Sequence, residues 1–114
     1  MRLVDELMQT AEADTEVLRS LDSNGDRFAI LRDVDFLIRA VSRENAEIIA
    51  GFINDFSYGI ASVQESEGEF SVLVIINMPV TQQVILSVSG FMVCVARLFG
   101  AEYDGWGCAV AGKT

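Results

Sequence analysis

No histidine occurs in the 114 residues, and the two cysteines, Cys94 and Cys108, stand alone without a second pair. A zinc site or a Cys-His nucleophile therefore has no ligands to be built from. The expectation is two reduced thiols placed in a core, in a chain with no cofactor and no metal. Only one proline is present against a 51% hydrophobic content, which excludes a disordered or low-complexity chain. Basic residues are scarce as well: eight Lys and Arg face seventeen Asp and Glu, a formal charge of −9. A surface of that sign repels phosphate backbones, so direct nucleic-acid binding is not expected and a basic protein is the natural partner. The acidity is uneven, since residues 1–69 carry fifteen acidic and six basic residues and residues 70–114 carry two of each.

Long apolar runs are also missing. The uncharged stretch from Phe70 to Ala96 is broken by Pro79, Thr81, Gln82 and Gln83, and its last part is too short for the roughly 20 residues of a spanning helix. The opening Met1-Arg2-Leu3-Val4-Asp5-Glu6 turns acidic at once and has no apolar core of a signal peptide. With the unpaired cysteines, this gives the expectation of a cytoplasmic protein with no membrane attachment.

Periodicity supplies the elements. Asp14-Thr15-Glu16 reads as an N-cap and acidic first turn of a short helix, with Val17, Leu18 and Leu21 on one side and Asn24-Gly25 as its stop. Residues 1–13 form an N-terminal extension whose Leu3, Leu7 and Ala11 also recur at helical spacing, leaving 14–114 as the domain proper. Val34 to Ala40 alternates as a strand, and Ser42 caps a helix with Ala46, Ile49, Ala50 and Ile53 inward. A strand at 60–64 and another at 70–78 flank an exposed loop from Glu65 to Glu69. The second of these is apolar on both sides, as a central strand would be. Thr81 opens the longest helix, closed by Gly100, and Trp106 to Val110 reads as a terminal strand.

The order is that of an α+β ferredoxin-like split βαβ sandwich, βαββαβ with a four-stranded antiparallel sheet, preceded by an extra N-terminal helix. Both later helices then lie on one sheet face. Leu37, Leu73 and Ile75 face the other side, to be covered by the N-terminal helix or by a second copy in a homodimer. Leu86 and Val93 beside Gly90 make a second candidate patch, on the outer side of the long helix.

Few motifs carry chemistry. Asp22-Ser23-Asn24-Gly25-Asp26 with Asp33 resembles a calcium loop, but Arg27 stands where the sharp turn needs glycine and a strand follows. The strand Glu69-Phe70-Ser71-Val72-Leu73-Val74 offers one aromatic and no cation, short of the stacking aromatics and basic residues of an RNA-recognition sheet. Asp33 and Asp35 share a strand face as a solvated edge, and no nucleophile motif, P-loop or dinucleotide fingerprint occurs. No catalytic residue is expected. Tyr103-Asp104-Gly105-Trp106-Gly107 stands apart, with two glycines flanking the only tryptophan. It is either a turn that closes the core or an aromatic anchor for a partner.

These five residues resemble the family regulator of ribonuclease activity B. The supporting matches are Leu18 and Leu21 leading to Gly25-Asp26, Arg32-Asp33-Val34-Asp35-Phe36, Met78-Pro79-Val80-Thr81, and Leu98 through Cys108. The resemblance spans about Asp14 to Val110. It implies the same ferredoxin-like variant with an added helix. It also implies a non-enzymatic inhibitor that binds the scaffold region of ribonuclease E and alters RNA turnover without touching RNA. The family's founding type carries a strongly acidic tail, whereas this sequence ends at Lys113-Thr114. The motif positions carried over as partner-binding or motif residues are Gly25, Asp26, Asp35, Tyr103, Asp104, Gly105, Trp106 and Gly107. The alternative reading is a small-molecule binding or sensing domain, or a neutralising partner of another protein such as a toxin.

Overall fold

A computed structural model describes residues 1–112. Three helices and four strands follow one another as α1 (Leu3–Ser23), β1 (Arg32–Ala40), α2 (Arg43–Asp55), β2 (Ile60–Ser66), β3 (Glu69–Met78), α3 (Gln82–Leu98) and β4 (Glu102–Gly107). The strands form one antiparallel sheet in the order β2-β3-β1-β4. This is the expected α+β architecture, with β1 and β3 at the centre. Alternation decides the faces: Val34, Phe36, Ile38, Val72 and Val74 are fully buried beneath α2 and α3, while Asp33, Asp35, Arg39 and Asn77 look to solvent.

Each helix has a local reason to stop. Asn24, Phe56 and Phe99 are the C-caps of α1, α2 and α3, and the next residue of each has positive φ: Gly25 at 80°, Ser57 at 59° and Gly100 at 67°. In all three the following N–H reaches back to the carbonyl five residues earlier: Asp26 to Leu21, Tyr58 to Ile53 and Ala101 to Ala96. This is the Schellman closure, and α2 makes it with serine where glycine has no steric cost. At the other end of α2, the Ser42 side chain accepts from the Asn45 backbone N–H as expected. Thr81 is the N-cap of α3 but makes no such side-chain bond.

The structure revises several readings. The N-terminal helix is continuous from Leu3, and Asp14 is not its cap but lies mid-helix, 3% exposed. An aspartate after a polar run resembles a cap locally; here it occupies the inward stripe Leu7, Ala11, Asp14, Leu18 and Leu21, and a partner from β4 satisfies it. The hairpin is tighter than a five-residue loop, because β2 runs to Ser66 and β3 starts at Glu69. Glu67 and Gly68 between them have φ of 52° and 81°. Two successive positive φ values are the mark of a type I′ turn. The last strand starts at Glu102 rather than Trp106 and ends at Gly107, held by pairing with β1 despite its acidic residues.

The position of α1 is the largest revision. It packs against α3 and touches β4, rather than lying across the far face of the sheet. The reason is α3, whose apolar surface continues on a side that the sheet does not cover. Val93 is fully buried, Leu86 is half-buried, and Gly90 brings the Leu7 side chain within 3.6 Å of where a β-carbon would stand. The supposed outer patch of the long helix is therefore the seat of α1. Leu37, Leu73 and Ile75 remain half-buried on the open sheet face. Among the described residues no helix is long and apolar enough to cross a membrane.

Candidate partner-binding site

The Tyr103–Gly107 motif is a strand with a bulge. Trp106 pairs with Phe36 and Tyr103 with Ile38, so one residue intervenes on β1 and two, Asp104 and Gly105, on β4. In a regular strand, residues three apart point to opposite faces; the extra residue turns Tyr103 and Trp106 to the same, helix-covered side. Gly105 takes φ of 98°, which a side chain would strain, so glycine is required there by the bulge.

Both aromatic heads are satisfied inside. Trp106 Nε1 donates to Asp14 Oδ1 at 2.9 Å, and the Tyr103 hydroxyl shares a hydrogen bond with Ser89 Oγ at 2.9 Å. This ties α1, α3 and β4 together in one polar cluster. Burial pushes the Asp14 carboxyl above its usual range, against the lowering effect of hydrogen bonds from Ser89 and Trp106. Burial likewise raises the Tyr103 phenol, opposed by Ser89 and assisted by the Asp14 charge. Trp106 thus ties β4 to the N-terminal helix, and Tyr103 ties it to α3. The sequence reading takes Asp14 as a helix cap and passes over Ser89, although each is a polar residue interrupting an apolar stripe, which is the signal that would find this cluster.

The second motif pair is also internal. Asp26 and Arg32 form an ion pair with side chains 0% and 8% exposed. The guanidinium also donates to the carbonyl oxygens of Ile30, Arg27 and Ala109, and Asp26 Oδ2 accepts from the Ala111 N–H at 3.0 Å. The pair fastens the α1–β1 loop to the segment after β4. For Asp26, burial would raise the pKa, but the Arg32 hydrogen bond, the Ala111 N–H and the Arg32 charge outweigh it and hold the carboxyl below its usual range. Gly25 sits beside the pair as the positive-φ residue that ends α1.

The remaining motif residues reach the surface. Asp35 and Asp104 are exposed, and Asp35 lies directly across from Gly107 on the open sheet face. A β-carbon on Gly107 would meet nothing within 4 Å, and its φ is not in the positive region, so neither packing nor backbone demands glycine there. Asp33 continues the acidic strip along β1, its carboxylate accepting from Asn77 Nδ2 at 3.1 Å. Six of the seventeen carboxylates are held in ion pairs, leaving eleven without a cation among the described residues. Cys94 and Cys108 are free and half-buried.

A cleft of about 630 Å³ is lined by Met1, Glu6, Arg39, Arg97, Glu102 and Tyr103 among others. Its two arginines are engaged, Arg97 by Glu6 at 2.9 Å and Arg39 by Glu102 at 3.8 Å. This is not the isolated apolar pocket that small-molecule sensing would call for.

No curated protein matches the chain. The family model described as "Regulator of ribonuclease activity B" matches residues 11–108, a span that includes Asp14, the Asp26–Arg32 pair and the whole β4 bulge. The chain belongs to the regulator of ribonuclease activity B family.

Proposed function

We propose that this chain is a protein-binding regulator without catalytic chemistry of its own, which binds ribonuclease E in the cytoplasm and so modulates RNA turnover. The match to regulators of ribonuclease activity carries the reading. The surplus of unpaired carboxylates supports it, because an acidic surface speeds encounter with a basic scaffold and disfavours wrong partners. Within the motif, Asp35, Asp104 and Gly107 are the contact positions, and Gly25, Asp26, Tyr103, Gly105 and Trp106 hold the fold that presents them.

The test is calorimetric titration of the purified ribonuclease E scaffold region into the full chain at low and at physiological salt. Binding that weakens as salt rises, and that drops further in Asp35→Lys with Asp104→Lys, is the expected result. Failure to bind at low salt would refute ribonuclease E as the partner.

A further inference from the structure

A second surface lies on the opposite side of the molecule. α2 and α3 meet through side chains rather than by close backbone approach, with Asn45 Nδ2 donating to the Phe99 carbonyl at one end. The space between them is filled by rings. The Phe52 centroid lies 5.4 Å from Phe56, 5.5 Å from Tyr58 and 5.5 Å from Phe99, and Tyr58 lies 4.7 Å from Phe91. The Ser57 closure folds Tyr58 back over Phe52, the hydrophobic contact that accompanies a Schellman cap. Despite these neighbours Phe56 remains 66% and Tyr58 43% exposed. Ile48, one turn before Phe52, and Leu98, two turns after Phe91, extend the apolar strip and are themselves 50% and 76% exposed.

The rim of this strip carries one sign of charge. Glu44, Glu47 and Asp55 on α2 are exposed and have no cation among the described residues. The only arginine of α2, Arg43, is held by Glu65 at 2.7 Å and lies over the Phe70 ring, away from the strip. That of α3, Arg97, is held by Glu6 on α1 and by the Met1 carbonyl just before it.

We propose that the Ile48–Phe52–Phe56–Tyr58–Phe91–Leu98 strip is a docking groove for a basic amphipathic helix of a protein partner. The inference rests on the protein-binding reading above and supplies the partner's chemistry: large apolar anchors at helical spacing, flanked by Lys or Arg. Charge separates this occupant from the others. A second copy docking about a two-fold axis would bring the acidic rim against itself. An anionic lipid surface or a nucleic acid would be repelled by the same rim.

The probe is a synthetic Leu/Lys amphipathic helix, titrated into the isotopically labelled full chain and followed by amide chemical shifts, beside a scrambled peptide and a Leu/Glu peptide. Shifts should cluster at Ile48, Phe52, Phe56, Tyr58 and Leu98 for the Leu/Lys helix alone. Phe56→Ser with Leu98→Ser should weaken it at least ten-fold while circular dichroism stays unchanged. Glu44→Gln with Asp55→Asn should weaken it more than Glu67→Gln with Glu69→Gln on the hairpin. Three results would each overturn the groove: shifts elsewhere or none, equal response to the scrambled peptide, or self-association abolished by the Phe56/Leu98 pair. The same double variant is then titrated with the ribonuclease E scaffold. A wild-type chain that ignores the scaffold defeats the proposed partner while the peptide result still judges the groove. Scaffold binding undiminished in the double variant rejects the groove and leaves the partner standing.

Discussion

Replacing Asp26 by asparagine removes one charge and almost no volume, which isolates what the buried ion pair contributes. Arg32 would stay in place with its side chain 8% exposed and its donors still engaged by the Ile30, Arg27 and Ala109 carbonyls, but with no counter-charge. Breaking a buried pair from one side costs about 3–5 kcal/mol, because the remaining ion is left uncompensated. With a urea slope of about 2 kcal/mol/M, the unfolding midpoint should fall by about 2 M. Trp106 fluorescence reports the transition, since it is the only tryptophan. Removing both charges, as Asp26→Asn with Arg32→Met, should recover most of the loss. The exposed pair Arg43–Glu65 sets the contrast, and Glu65→Gln should cost about 1 kcal/mol or less. The pH dependence follows from the lowered pKa of Asp26. Its contribution is present above the unfolded value of about 3.9 and is lost as pH falls through the still lower folded value. The gap between wild type and Asp26→Asn should therefore hold steady from pH 5 to 8 and close only below about pH 4. A midpoint shift under about 0.5 M at pH 7 would refute the reasoning.

Substitutions at four further positions probe the same architecture by urea unfolding. Gly105→Ala forces a side chain onto φ of 98° and should cost about 1–2 kcal/mol or more, with weakened near-ultraviolet dichroism as Trp106 loses its seat. Gly107→Ala, which meets open space, should stay within about 0.5 kcal/mol. At Asp14, leucine leaves the half-buried Trp106 N–H without its acceptor and should cost about 1–3 kcal/mol. Asparagine keeps that acceptor and removes the charge. Because burial raises the Asp14 carboxyl, its cost is fully present above the folded pKa, so Asp14→Asn should be the more stable form at pH 7 and lose that advantage as pH falls. Ser57→Gly relieves a left-handed residue costing about 1–2 kcal/mol against an entropic penalty of about 0.5–1. A net gain of about 0.5–1 kcal/mol is expected.

The sequence by itself determined whatever a short stretch of chain decides. Alternation from Val34 to Ala40, the doubly apolar β3, the Ser42 cap and the glycine stops at Gly25 and Gly100 act within a few residues, and they were enough to order the elements and place β1 and β3 at the centre. Only the tertiary structure decided what depends on a distant neighbour. Asp14 reads as a cap until Trp106, 92 positions on, is seen to donate to it. The β4 bulge turns Tyr103 and Trp106 inward only because β1 holds the register. A choice between α3 and the open sheet face as the seat of α1 is a competition between two apolar surfaces, and nothing inside α1 encodes which one buries more. The aromatic strip joins Phe52 and Tyr58 to Phe91 and Phe99 across a gap between helices that the periodicity of either helix alone does not reveal. Local patterns choose each element because backbone geometry repeats within it. Which faces meet is set by the total area buried and the polar groups satisfied, quantities that exist only once the chain has closed on itself.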